Sequence, residues 1–176
     1  MRIISVSALF MLAQSVLISP VQAELLSLWG RIGMSGSIVD SACAIDTGSY
    51  EQTVDMGMLP IGTLRQQGRG PVRPFSIALI GCTLTPYAGE AWQKFSVTFD
   101  GPVDGEWFLV SGDARGVALA LQDAQGQPIY PGQSPPKQAI VSGNSMLHYG
   151  LQLVSDTRPL RPGEYQGALR FKLDYY

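Results

Sequence analysis

Between Tyr165 and Tyr175 the apolar side chains fall on odd positions, Tyr165, Leu169, Phe171, Leu173 and Tyr175 with Gly167 among them. The even positions carry Gln166, Arg170, Lys172 and Asp174. A period of two sends alternate side chains to opposite faces of a pleated strand, so such a segment buries one face and wets the other. Phe75–Leu79, Phe95–Phe99, Val117–Leu121 and Leu147–Leu153 repeat the pattern or form short β-rich runs. Between them lie Asp100-Gly101-Pro102, Gln125-Gly126-Gln127-Pro128, Pro131-Gly132, Ser142-Gly143-Asn144 and Arg161-Pro162-Gly163, which are turn chemistry that breaks helices. Short strands at this spacing predict an all-β sandwich. Its last strand is expected to continue to the final residues.

With 45% hydrophobic and 15% charged residues the chain can fill one core. Lys and Arg number 12 against 14 Asp and Glu, so no basic excess exists to grip phosphates, and nucleic acid is not expected as a partner. The beginning reads Met1-Arg2, an apolar run from Ile3 to Ile18, and Val21-Gln22-Ala23. One positive charge, a run short for a bilayer and small residues at its end predict a secretory signal peptide, residues 1–23, cleaved before Glu24. The remainder holds no comparable run and is expected not to span a membrane once the signal is removed. Export makes Cys43 and Cys82 readable as one disulfide. Closing a loop of that length stabilises a fold by roughly 3–4 kcal/mol on the chain-entropy model.

After the signal, even positions carry Leu26, Leu28, Gly30, Ile32 and Met34 and form the more consistently apolar face of an extended segment. Two arrangements bury that face. The segment folds back to complete its own sheet, or it is donated to another chain, since an apolar sheet edge recruits strands.

Chemistry is sparse. His148, the single histidine, sits at a polar alternation position and reads as a surface or rim residue. Asp100, Asp104 and Glu106 lack the spacing of a twelve-residue calcium loop. Gly112-Asp113-Ala114-Arg115-Gly116 lacks the lysine of a phosphate cradle and reads as a hairpin turn. No catalytic residue, metal or other cofactor is expected. The competing function classes are a self-contained carbohydrate- or receptor-binding sandwich using Trp92, Trp107 or Tyr130, and a secreted hydrolase, for which one histidine and no nucleophile motif is a poor inventory.

Several motifs together carry a resemblance. Gly36 stands seven residues before Cys43; Thr53-Val54-Asp55-Met56-Gly57 follows; Phe75-Ser76-Ile77 leads to Cys82; Gly163 is fourteenth from the end and Tyr175 is penultimate. In these the chain resembles the pilin subunits of chaperone–usher fimbriae, of the type 1 and P-pilus kind. The resemblance runs over the whole chain after the signal. Val97–Gly101, Gly116-Val117 and the final Phe171-x-Leu173-Asp174-Tyr175 are similar to terminating subunits of P pili. Within the family a minor, adaptor or terminating subunit is expected before the main rod component.

The resemblance implies an incomplete immunoglobulin-like β-sandwich that lacks its last strand and leaves a groove beside the C-terminal strand. A periplasmic chaperone fills that groove first, and at the outer-membrane usher the N-terminal extension of another pilin subunit replaces it. Residues 24–36 are then the donor extension and residues 37–176 the pilin domain. Leu26, Leu28, Gly30, Ile32 and Met34 would enter a neighbour's groove. Gly30, thirteen residues before Cys43, matches the family's donor-strand glycine, where the missing side chain allows close backbone approach; a turn or bulge glycine is the other reading. The acceptor and chaperone-binding strand would run from Gly163 through Tyr165, Leu169, Phe171, Leu173 and Tyr175 to Tyr176. The terminal carboxylate of Tyr176 would anchor basic groups of the chaperone.

Overall fold

The computed structural model describes residues 30–36, 38 and 40–176. The signal peptide and two of the expected donor residues, Leu26 and Leu28, lie outside the described residues. The chain divides into two compact units, Met1–Ser37 and Ile38–Tyr176. In the first, residues 30–36 form neither helix nor strand, and Gly30, Ile32 and Met34 are exposed.

The second unit is built from β1 (Ala44–Ile45), α1 (Thr47–Tyr50), α2 (Ile61–Gln67), β2 (Arg69–Cys82), β3 (Lys94–Asp100), β4 (Val103–Asp104) and β5 (Trp107–Phe108). There follow β6 (Ser111–Gly112), β7 (Val117–Asp123), β8 (Pro128–Ile129), β9 (Gln138–Ala139), β10 (Gly143–Ser155), β11 (Tyr165–Gln166) and β12 (Arg170–Tyr175). One sheet runs β1-β2-β10-β7-β5-β4 with β8 beside β7; a second runs β12-β3-β9; a two-stranded ribbon joins β11 to β6. All pairings are antiparallel.

The long strands sit where the period of two places them. Leu147, Tyr149, Leu151 and Leu153 of β10 are buried, as are Ile77 and Leu79 of β2, Leu119 and Leu121 of β7, and Phe95, Val97 and Phe99 of β3. The inward side chains of the two larger sheets interdigitate in one core, the packing of a β-sandwich. Phe99 lies edge-on to Tyr149 with ring centroids 4.8 Å apart, and Phe75 stacks on Tyr149 at 5.5 Å. Such aromatic pairs stabilise by about 0.5–1.5 kcal/mol beyond their burial. The disulfide joins Cys43 to Cys82, 39 residues apart in sequence, and so fastens the entry of the domain to the end of β2.

Three expectations are corrected. The strand expected to run unbroken from Gly163 to Tyr176 is two strands in different sheets, β11 on β6 and β12 on β3, separated by Gly167-Ala168-Leu169. Alternation records which face a residue takes and not which strand lies beside it. The segment 112–116 is no simple hairpin turn, because it lies against 161–165: Arg115 and Arg161 exchange backbone bonds at 3.1 and 3.0 Å, and Gly112 pairs with Tyr165. Helices were not expected, yet α1 is capped by Asp46, whose carboxylate accepts from the Gly48 N–H. Helix α2 ends on Gly68 at φ 71°, whose N–H bonds the Leu64 carbonyl, the left-handed cap that glycine supplies most easily.

Candidate functional site: an open groove beside the C-terminal strand

Among the described residues, strand β12 occupies the edge of its sheet and pairs only with β3. Tyr176 and Lys94 exchange backbone bonds at 2.8 and 3.0 Å. In an antiparallel ladder such pairs alternate with pairs that exchange none. The register then bonds Asp174 to Ser96, Lys172 to Thr98 and Arg170 to Asp100. Phe171, Leu173 and Tyr175 therefore turn their backbone N–H and C=O groups away from β3, toward the free edge.

The same three residues send their side chains inward onto the core. Their cover is incomplete. Tyr165, Leu169, Phe171, Leu173 and Tyr175 are all half-buried, whereas their neighbours Phe95, Val97 and Phe99 on β3 are no more than 4% exposed. An apolar side chain left half in water forgoes part of about 25 cal/mol per Å² of burial. Among the described residues the C-terminal strand thus combines unpaired backbone groups with half-covered apolar side chains.

Beside it runs a cleft of about 1230 Å³. Phe75, Leu119, Leu151 and Leu153 contribute to its floor, and residues 160–169 with Phe171 form one side. The opposite wall is the segment 49–59. Val54, Met56 and Leu59 of that wall turn half-buried faces to the core clusters, while residues 52–60 adopt no helix or strand. The cleft stops short of the end of β12, where the Tyr175 hydroxyl donates to the Cys43 carbonyl at 3.2 Å and its ring meets Trp92 at 6.1 Å. The Tyr175 hydroxyl is held above its ordinary pKa chiefly by burial, and so is that of Tyr165.

The structure brings Tyr165, Leu169, Phe171, Leu173 and Tyr175 to one side of the domain along two successive strands and the break between them. Gly163 contributes differently: a Cβ there would stand 2.6 Å from the Ala114 nitrogen, so it lets the groove rim lie against the 113–114 backbone. Tyr176 is half in solvent with the Lys137 ammonium 3.3 Å above its ring centroid, a cation–π contact. His148 is exposed, as expected. Of the aromatics considered for sugar binding, Trp92 packs on the core periphery, while Trp107 and Tyr130 lie against each other with tilted rings, 5.5 Å between centroids. Asp104 pairs with Arg158, which also holds Asp156. Among the described residues no three His, Cys, Asp or Glu side chains converge to hold a metal, and no helix is long and apolar enough to cross a membrane. Sequence reasoning missed the wall, since segment 51–59 offered only a motif and no strand signature.

A family model described as fimbrial protein matches residues 32–176. The chain belongs to the fimbrial protein family. It is 33% identical over 151 residues to the PRS fimbrial minor pilin protein of Escherichia coli, covering 83% of this chain and 77% of that one. It is 32% identical over 151 residues to the PAP fimbrial minor pilin protein of the same organism, with the same coverage. Among solved structures, the P pilus rod subunit PapA superposes with a TM-score of 0.69 at 22% identity, covering 77% of this chain and all of that one. A subunit of a chaperone–usher pilus gives a TM-score of 0.67 at 23% identity, covering 84% and 96%. The architecture is the immunoglobulin-like all-β fold of these pilins. As a chaperone–usher pilin the protein is a subunit of a fimbrium at the cell surface, and its partners include other pilin subunits.

Proposed function

We propose that this pilin assembles by accepting a strand in its groove and by donating one from its N-terminal extension. The observation that carries the reading is the state of β12: an edge strand whose outward backbone groups and half-covered inward side chains belong to the same residues, Phe171, Leu173 and Tyr175. An added strand would satisfy both at once. Donor-strand complementation between chaperone and pilin is itself the known example of this kind of edge addition, so family membership and geometry support the reading together.

In this account residues 1–23 direct export to the periplasm, residues 24–36 are the donor extension and residues 37–176 are the pilin domain. A periplasmic chaperone fills the groove first, and at the outer-membrane usher another subunit's extension replaces it. The chaperone docks on Gly163, Tyr165, Leu169, Phe171, Leu173, Tyr175 and Tyr176. Leu26, Leu28, Gly30, Ile32 and Met34 present the donated face. The two relatives described as minor pilins support a minor, adaptor or terminating place in the fibre. The role is structural, contributing to cell adhesion through the fimbrium, and not enzymatic.

Replacing Phe171 by Asp tests this directly, because it puts a charge where the groove is apolar, and an unpaired charge is costly to bury. Co-expressed with its chaperone, the variant is expected to be degraded in the periplasm and absent from fimbriae. Accumulation and assembly at the wild-type level would contradict the acceptor role.

A further inference from the structure

Strand β2 carries one residue that breaks its own inward face. Arg73 pairs with Leu151 across the sheet and shares a face with Phe75, Ile77 and Leu79. It is half-buried at a position where the rest of the strand is hydrophobic. No carboxylate lies within ion-pair distance of it among the described residues. Its Nε instead donates to the Met56 carbonyl at 3.3 Å.

That bond falls on the groove wall. Among the described residues, residues 52–60 have no ladder partner, and the hydrogen bonds tying this stretch to β2 are few: Arg73 to the Met56 carbonyl, and the Gln52 side chain to the Ser76 carbonyl at 3.0 Å. Next to Met56 the chain turns through Gly57 at φ 66°, where a Cβ would stand 2.7 Å from Arg73 Nη2. The glycine therefore serves two ends: it accepts the left-handed backbone, and it leaves space for the guanidinium beneath the wall. Its N–H is taken by the Asp55 carboxylate at 2.8 Å. The Thr53–Gly57 motif is thus a wall folded over an arginine.

We propose that Arg73 is a positioning residue for strand acceptance: through the Met56 carbonyl and its seat under Gly57 it fixes the wall at the spacing from β11 and β12 that an incoming strand needs. The inference rests on the acceptor reading above. Without the guanidinium the wall has no ladder to hold it, and its half-buried Val54 and Met56 can slide across the groove. A preformed groove takes a strand faster than one that must first be reopened, because the ordering cost has already been met.

The test uses the oxidised chain and a synthetic peptide of residues 24–36 as the probe strand, following uptake by fluorescence anisotropy. Wild type is expected to take up the peptide, and Arg73→Met to do so about tenfold more slowly, in keeping with the loss of one charged hydrogen bond. Arg73→Lys, which can still donate to the Met56 carbonyl, is expected to recover most of the rate. Hydrogen exchange in Arg73→Met should quicken at the 53–57 amides while β10 stays protected; quickening throughout the domain would overturn a local role. If Arg73→Met does not accumulate, Arg73→Lys and Gly57→Ala carry the comparison: the first near the wild-type rate and the second slowed support the proposal, and both at the wild-type rate overturn it. Uptake by wild type and Arg73→Met at equal rates overturns the assignment of Arg73 and leaves the acceptor reading standing. No uptake by wild type overturns the acceptor reading, and with it the proposal.

Discussion

The Tyr175 hydroxyl donates to the carbonyl of Cys43 at 3.2 Å, joining residues 132 positions apart. Because Cys43 is itself bonded to Cys82, the edge strand, the start of the domain and the end of β2 meet at this point. Replacing Tyr175 by Phe removes one of the two bonds that the Cys43 carbonyl accepts and leaves the other, from the Ser41 hydroxyl at 3.2 Å, a loss of about 0.5–1 kcal/mol. Urea unfolding should show a lower midpoint with an unchanged slope.

Removing the covalent member of that junction costs more. With Cys43 and Cys82 both replaced by Ala, the unfolded chain regains the freedom of the loop between them, and stability should fall by roughly 3–4 kcal/mol. Thermal unfolding of the variant against the oxidised wild type measures it. The reduced wild type should approach the variant.

Gly163 is expected to resist even the smallest side chain. A Cβ there would meet the Ala114 nitrogen and the Asp113 carbonyl carbon, both at 2.6 Å, and backbone cannot move aside as a side-chain tip can. Gly163→Ala should destabilise by about 1–3 kcal/mol, as overpacking does elsewhere. Gly62→Ala, where a Cβ meets nothing within 4 Å, is the control and should be neutral or stabilising in its helix.

Alkaline pH should destabilise the domain, with Tyr149 contributing beside Tyr165 and Tyr175, whose hydroxyl pKa values burial also raises. The Tyr149 hydroxyl is buried without a hydrogen-bond partner, and burial first, then the Asp123 carboxylate, push its pKa up from 10.0 to about 12. The folded state thus holds a proton that the unfolded state has released. That contribution, about 2–3 kcal/mol, is fully present below pH 10 and is lost as pH rises toward 12. A stability profile over this window should fall steeply for wild type and less for Tyr149→Phe.

Donation should depend on Gly30. A bulky residue such as Leu there is expected to impair insertion into a neighbour's groove while leaving the subunit's own capture by chaperone intact. Pull-down of the chaperone complex beside fimbrial incorporation measures the two separately. Equal loss of both would remove Gly30 from the donor role.

The long strands and the disulfide were legible because both are set by local signals. Alternating apolar residues name a buried face, and two cysteines, once the chain is read as exported, have one pairing. What stayed hidden depends on non-local contact. The break between β11 and β12 leaves the alternation from Tyr165 to Tyr175 intact, and only the change of partner from β6 to β3 reveals it. Segment 112–116 has turn composition because Gly112 and Gly116 must admit the backbone of 158–165, not because the chain simply reverses there. Helix α2 did carry a local signal, Pro60 before Ile61 and Gly68 after Gln67. Seven residues with one buried leucine are too few for a helical period to stand out. The wall shows no strand pattern because side-chain bonds take the place of a ladder: Arg73 of β2 donates to the Met56 carbonyl, and Gln52 of the wall donates to the Ser76 carbonyl.

The central claim is that the groove beside β12 lacks a strand that residues 24–36 can supply. The most direct measurement compares thermal unfolding and oligomeric state of two oxidised chains: residues 24–176, and a chain in which residues 24–36 follow Tyr176 through a flexible linker. The account predicts that the rearranged chain is a monomer and melts at a much higher temperature than residues 24–176, which unfold earlier and associate through their open grooves. Two equally stable monomers would mean that the sandwich is already complete and would contradict it.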